Sequence, residues 1–160
     1  MTQFEEILKR LAENKIRFVL IGGVAASAQG SAYVTNDLDI VYDRSVDNVK
    51  KLVSFLKSIH ATIRGKFPDD LPFILDEKTF SFGVNFTFHT DLGDLDTLGE
   101  MAGVGNYTET LKVSDPIDLY NMRVDVLSLK GLIQAKRAAG RPKDIAHLKE
   151  LEAILEMKEK

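Results

Sequence analysis

The sequence predicts an α+β fold: a mixed β-sheet with helices packed on one side and a C-terminal helical pair. Three observations predict it. Short apolar strands do not alternate cleanly with helical patterns, which argues against a doubly wound parallel sheet. A strand-turn-strand pattern spans Phe82 to Leu98. From Ser128 onward the chain reads as two capped helices. The 160 residues suit a single domain over 1–160, with a core over about 1–127 and C-terminal helices over about 128–160. A chain of this length buries roughly 70% of its unfolded surface, so it needs no staples.

The elements follow in order. Phe4, Ile7, Leu8 and Leu11 recur at helical spacing and predict an amphipathic helix. Arg17 to Ile21 is a short apolar run and reads as a buried strand. Gly22-Gly23 ends it, and Val24 to Gln29, rich in small residues, reads as a helix stopped by Gly30. Asp37 to Tyr42 is the second strand. Asp43 or Ser45 can cap the next helix, whose inner face is Val49, Leu52, Val53 and Leu56. Gly65 to Pro72, with its glycine, prolines and aspartates, reads as a loop. In Phe82 to His89 the residues Phe82, Val84, Phe86 and Phe88 alternate with Gly83, Asn85 and Thr87, as in a strand. A turn at Thr90 to Gly93 leads to its antiparallel partner, Asp94 to Leu98. Thr108 to Val113 and Arg123 to Leu127 read as further short strands. Ser128 caps a helix from Leu129 to Ala139 that Gly140 closes. Pro142 opens the last helix, with Ile145, Leu148, Leu151 and Leu155 as its apolar stripe.

Composition removes several classes of function. There is no cysteine, so disulfides and thiolate metal sites are excluded and a reducing compartment is the simplest setting. Met1 to Glu6 lacks a basic start and an apolar stretch, so no signal peptide is expected. No apolar run approaches ~20 residues, so no membrane span is expected. These points together predict a cytoplasmic protein. The net charge of −3 and pI near 5.6 do not favour a broad nucleic-acid-binding face.

The chemistry concentrates in a few residues. A strand followed by Gly22-Gly23 and a helix aims backbone amides and a positive dipole end at one spot, where phosphate binds well. Taken alone, the pair is equally a tight strand-to-helix turn. Asp37 and Asp39 project to the same side of their strand, where they repel unless a cation lies between them. Mg²⁺ is the usual choice for carboxylate and phosphate oxygens. A lone Asp-x-Asp can equally decorate a solvated strand edge. Asp94 and Asp96 share a face opposite Leu95. Antiparallel pairing would bring either beside Asp39, and position does not separate the two. An acid there would complete a two-cation site. Lys130, Lys136, Arg137, Arg141 and Lys143 crowd the helix and turn after Ser128. They read as a solvated face or as a source of charge for an anionic ligand. His60, His89 and His147 show no metal-ligand spacing and read as structural or surface residues.

Taken together, Ile21-Gly22-Gly23, Thr35-Asn36-Asp37-Leu38-Asp39-Ile40 and Leu95-Asp96 resemble the signature of the nucleotidyltransferase superfamily, with the DNA polymerase beta-like fold. The likeness is to small prokaryotic members, including toxins of abortive-infection-type toxin–antitoxin pairs. Lys136 to Asp144 is similar to the basic segment that follows the core in those proteins. The resemblance implies an enzyme that moves a nucleoside monophosphate from an NTP to an acceptor hydroxyl on tRNA, protein or a small molecule. ATP binding is among the implied properties, with the preferred NTP left open. It implies Asp37, Asp39 and Asp96 as catalytic metal ligands, with Asp96 helping to deprotonate the acceptor. Two Mg²⁺ ions are expected, with Mn²⁺ as the substitute. It implies nucleotide contacts at Gly22, Gly23, Thr35, Lys136 and Arg141, with Asp144 orienting Lys136 or Arg141, and an antitoxin-type protein as a candidate partner. The sequence departs from many relatives at Tyr33, two residues before the threonine, where they carry arginine. That departure keeps a second reading open, a catalytically weakened nucleotide-binding module or toxin–antitoxin partner protein. A phosphatase built on Asp-x-Asp is disfavoured, because Ala32 to Asn36 is too polar for the apolar strand such enzymes place before the nucleophile.

Overall fold

The computed structural model describes residues 1–65, 73–82 and 84–160. One mixed sheet organises them. Its strands are β1 (Phe18–Ile21), β2 (Asp37–Tyr42), β3 (Thr62–Ile63), β4 (Asn85–Thr90), β5 (Gly93–Leu98), β8 (Ser114–Leu119) and β9 (Met122–Leu127). They lie in the order β3-β4-β5-β2-β1-β9-β8, and the short β6 (Glu100–Met101) and β7 (Gly105–Asn106) pair separately. β2 runs antiparallel to β1 but parallel to β5, and β1 runs parallel to β9.

Side-chain alternation divides the sheet into an apolar and an acidic face. Leu38, Ile40, Leu95 and Phe88 are fully buried on one side. Helix α4 (Glu77–Phe82) covers part of it, with the Phe80 ring 4.7 Å from Phe86 and 5.6 Å from Tyr42. The aliphatic face of α3 (Val46–Ser58) and that of α1 (Phe4–Glu13) complete this core. The other face carries Asp37 and Asp39 on β2 and Asp94 and Asp96 on β5.

Several elements differ from expectation, each for a local reason. Of the residues 108–113, those from 108 to 112 lie in helix α5 (Tyr107–Lys112) rather than in a strand, and Val113 caps its end. Asn106 and Glu109 close a reciprocal capping box there, which satisfies the first free amides. The strand expected from Phe82 starts only at Asn85, because Phe82 is itself the last residue of α4. Asp76 starts that helix by accepting from the Thr79 amide at 2.8 Å. β8 was not foreseen. Its Pro116 suits the edge of the sheet, where one strand face needs no donor. The expected loop falls largely on residues 66–72, outside the described residues. In α7 (Pro142–Lys158), Ile145 is 55% exposed rather than part of the apolar stripe. Leu148, Leu151 and Leu155 of that stripe do pack on the core, with Asp144 and His147 buried beside them.

The C-terminal pair otherwise follows the sequence. Ser128 accepts from the Gly131 amide at 3.1 Å and caps α6 (Leu129–Ala139), and Gly140 ends it in the left-handed conformation at φ 61°. The helices α6 and α7 pack on each other, and α6 also touches α2 (Gly22–Ala28) beside the end of β1. Among the described residues, no helix is long and apolar enough to cross a membrane.

Candidate active site

Register brings the acids together. Asp37 lies opposite Asp94, and Asp39 opposite Asp96, on neighbouring parallel strands. The expected antiparallel approach is therefore corrected to a parallel one. The reason is topological: the antiparallel partner of β5 is β4, and β2 occupies its other edge. The expected juxtaposition survives because a parallel register also sets residues of equal facing side by side.

Asp39 is the most confined of the four. Its Oδ2 abuts Gly22, where an added Cβ would collide with it. Gly22 also stands at φ 69°, a conformation that favours glycine. Asp39 Oδ1 is buried and has no hydrogen-bond partner among the described residues. Burial first, then the neighbouring Asp96 carboxyl, pushes the Asp39 pKa up to about 8. Asp96 is raised as well, chiefly by burial.

An arginine stands among these acids. Arg64, just after β3, donates from one guanidinium nitrogen to Asp94 at 3.0 Å and reaches Asp37 at 3.5 Å. Its other terminal nitrogen donates to Asp96 at 3.0 Å. Asp94 is also held by His89 Nδ1 at 2.6 Å, and that contact is the main cause of its lowered pKa. The two acids left unseparated by sequence thus occupy different settings. Asp96 faces Asp39 and lines the cleft described next, whereas Asp94 is paired beside it with His89 and Arg64.

The cleft, of about 700 Å³, lies between the acidic face and the C-terminal helices. Gly22, Gly23, Thr35, Asp37, Asp39 and Asp96 form one wall. Lys136, Arg141, Lys143 and Asp144 line the other. Gly23 packs so closely on Thr35 that a Cβ would stand 2.7 Å from the threonine side chain. Thr35 Oγ1 accepts from the Asp37 amide at 3.3 Å and fixes the entry to β2. No side chain caps the first turn of α2, which opens on this glycine pair. Asp144 is buried and accepts from Lys136 Nζ at 3.1 Å and from Arg141 Nε at 2.8 Å. Those contacts, Arg141 first, hold its pKa down at about 2. Lys130 and Arg137 are not part of the cleft. They pair with Glu159 at 3.8 Å and Glu152 at 3.4 Å on α7.

No protein-family model matches the chain, and no curated protein matches its sequence. Solved structures do match. A protein from Thermotoga maritima described as a nucleotidyltransferase superposes with a TM-score of 0.61 at 15% identity, covering 94% of each chain. The lincosamide antibiotic adenylyltransferase LnuA, bound to lincomycin, gives 0.64 at 14% identity, over 94% of this chain and 95% of that one. The antibiotic-resistance factor ANT(2'')-Ia, in complex with adenylyl-2''-tobramycin, gives 0.60 at 13% identity, over 94% and 84%. The chain has the nucleotidyltransferase fold.

On this nucleotidyltransferase fold the donor set suits a hard divalent ion. The polar side chains that β2 and β5 turn to the acidic face are all carboxylates, as Mg²⁺ prefers, and among the described residues Asp39 keeps a buried oxygen without a partner. The carboxylates do not yet form a coordination shell. Among the described residues, no three acidic or histidine side chains are grouped tightly enough to hold an ion, and Arg64 lies between them.

Sequence reasoning missed two features of the site. Four acids on one sheet face demand a counter-charge. A metal ion is one source of that charge, and Arg64, just after the edge strand β3, already meets part of the demand. The second feature is the seam of Tyr33, His147, Ser31 and Glu150. Ser31 Oγ donates to Glu150 at 2.5 Å, the Ala32 amide donates to the same carboxylate at 3.0 Å, and Tyr33 stacks on His147. His147 is thereby part of the cleft rather than an isolated structural residue.

Proposed function

We propose that the protein is a nucleotidyltransferase that moves a nucleoside monophosphate from an NTP to a hydroxyl of a small-molecule acceptor. The observation that carries this reading is the meeting of Asp37, Asp39 and Asp96 beside the Gly22-Gly23 turn in a cleft with Lys136 on its far wall. The small-molecule acceptor is suggested by the adenylyltransferases of the same fold, whose acceptors are antibiotics.

Asp37, Asp39 and Asp96 would hold Mg²⁺, which when bound supplies charge neutralisation for the polyphosphate and lowers the pKa of the attacking hydroxyl. The chain's own groups do the rest. The Gly22 and Gly23 amides, free of side-chain caps, receive phosphate oxygens at closest backbone approach. Lys136, oriented by Asp144, places a positive charge opposite the acids. Asp96 accepts the proton of the acceptor hydroxyl as its oxygen bonds to the α-phosphorus. The bond from that phosphorus to the bridging oxygen breaks, and pyrophosphate leaves. The cleft aligns the two reactants, and no covalent enzyme intermediate is needed.

The test is incubation of the full chain with each α-labelled NTP, Mg²⁺ and separate acceptor pools of small molecules, tRNA and protein. Label appearing in the small-molecule pool, with release of pyrophosphate and none from Asp39→Asn, supports the reading. Label in tRNA or protein instead moves the acceptor to that class. Tight NTP binding without label transfer replaces the enzyme with a nucleotide-binding module.

A further inference from the structure

We propose that Arg64 is a built-in counter-cation of the acidic cluster, which holds Asp37, Asp94 and Asp96 together before a divalent ion enters and must leave them for the ion to bind. The inference rests on the nucleotidyl-transfer reading for the identity of the ion, and on geometry for the rest.

One guanidinium reaches three carboxylates, at 3.0, 3.0 and 3.5 Å. The fork suits the pattern. Asp94 and Asp96 are two residues apart on one strand and point the same way, so the two ends of a planar guanidinium can take one each. A lysine ammonium would present a single charged point to the same pair. Arg64 does not complete the site, however. Asp39, the acid most enclosed, has no bond to it and keeps a buried oxygen without a partner among the described residues. The arginine therefore balances the outer part of the cluster and leaves an unmet demand for positive charge at the inner end.

The ion and the arginine exclude each other. An ion held by Asp37 and Asp96 uses carboxylates on which guanidinium nitrogens now rest, and two positive centres in contact repel. The backbone is arranged so that only the side chain needs to move. The Arg64 amide donates to the Thr87 carbonyl at 2.7 Å, and the Arg64 carbonyl accepts from Thr87 Oγ1 at 2.9 Å. The side chain is 29% exposed, so an outward path exists. Ion affinity is consequently set by an exchange rather than by the carboxylates alone.

This makes Arg64 a positioning residue with an unusual signature. Removing a merely structural arginine would loosen the carboxylates and weaken ion binding, whereas removing a competitor strengthens it. The experiment is binding of Mn²⁺ alone to the full chain, followed by the electron paramagnetic resonance signal of the free ion. Arg64→Gln is expected to lower the Mn²⁺ Kd at least ten-fold relative to wild type. Adding Asp39→Asn to it should abolish the gain. An unchanged or higher Kd in Arg64→Gln overturns the inference and leaves the nucleotidyl-transfer reading standing. Absence of Mn²⁺ binding in both wild type and Arg64→Gln, with and without NTP, overturns both. Should Arg64→Gln fail to fold, wild type decides the matter. On titration with Mg²⁺ the Arg64 side-chain Nε–H resonance must shift with the midpoint of ion binding, and a resonance unmoved at saturation overturns the inference.

Discussion

The Tyr33 ring lies nearly flat on the His147 imidazole, with centroids 4.2 Å apart and planes 25° from parallel. Tyr33 remains 43% exposed, and both rings line the cleft. His147 is itself buried, and its pKa is lowered, first by burial and then by the Lys136 charge. One face of the tyrosine is thus backed by a fixed ring. The other is open to a ligand.

In the proposed enzyme that open face is a platform for the nucleobase. Tyr33→Ala should weaken NTP binding by roughly 5- to 150-fold, the range for losing one aromatic stack, and Tyr33→Phe should be near neutral. Binding of inorganic tripolyphosphate, which has no base, should be unaffected by either change. Calorimetry with the two ligands separates the cases. Equal losses for NTP and tripolyphosphate would assign Tyr33 to the phosphates instead.

Asp39→Asn separates catalysis from folding. The change replaces a buried ionisable group by a neutral one at near-constant volume. Stability to urea in the absence of metal should be higher at neutral pH, because burial disfavours a carboxyl that ionises freely only in the unfolded chain. Nucleotidyl transfer should fall by at least 10³-fold, as expected when a group that acts with others as one unit is removed. A variant retaining full activity would take Asp39 out of the mechanism.

Much of this was legible in the chain because the relevant signals are local. Asp37, Leu38, Asp39 and Ile40 alternate over one strand, so their facing follows from spacing alone. Ser128, Gly140 and Pro142 mark the bounds of α6 and α7 by their own backbone chemistry. Where tertiary pairing decides, the sequence was silent. Nothing near Asp96 states that β5 joins β2 in parallel, since that depends on β4 taking its other edge. Arg64 lies 32 residues from Asp96, and only sheet order brings them together. The strand expected over 108–113 failed for a different reason. The apolar content of that stretch was read, while the capping pair Asn106 and Glu109 just at its start was overlooked.

Gly22 is expected to tolerate no side chain. Gly22→Ala forces a Cβ into Asp39 and requires a left-handed conformation that costs about 1–2 kcal/mol for an L-residue. Urea unfolding should report a loss of that order or somewhat more. Mn²⁺ binding and transfer should fall further than stability does, because the displaced group is the Asp39 carboxylate. A conservative change outside the contact, such as Ala28→Ser, should leave the ion affinity alone.

Asp144 makes the joint between α6 and α7 sensitive to acid. Its carboxylate is buried and carries two cationic partners, Arg141 and Lys136, and its pKa is near 2 against an ordinary value of 3.8. A carboxyl whose folded value is depressed contributes stability that is fully present above the unfolded value and is lost as pH falls toward the folded one. The contribution should therefore be intact at pH 6, begin to fade below about pH 4, and be largely gone near pH 2. Asp144→Asn removes it at every pH. The variant should be less stable than wild type by about 2 kcal/mol at pH 6, the typical worth of hydrogen bonds to charged groups. The gap should close steadily as the pH is lowered from 4 to 2. Urea unfolding at several pH values measures it. A gap independent of pH would mean that Asp144 acts by packing rather than by charge. In that case Lys136 would be held toward the cleft by the helix backbone alone.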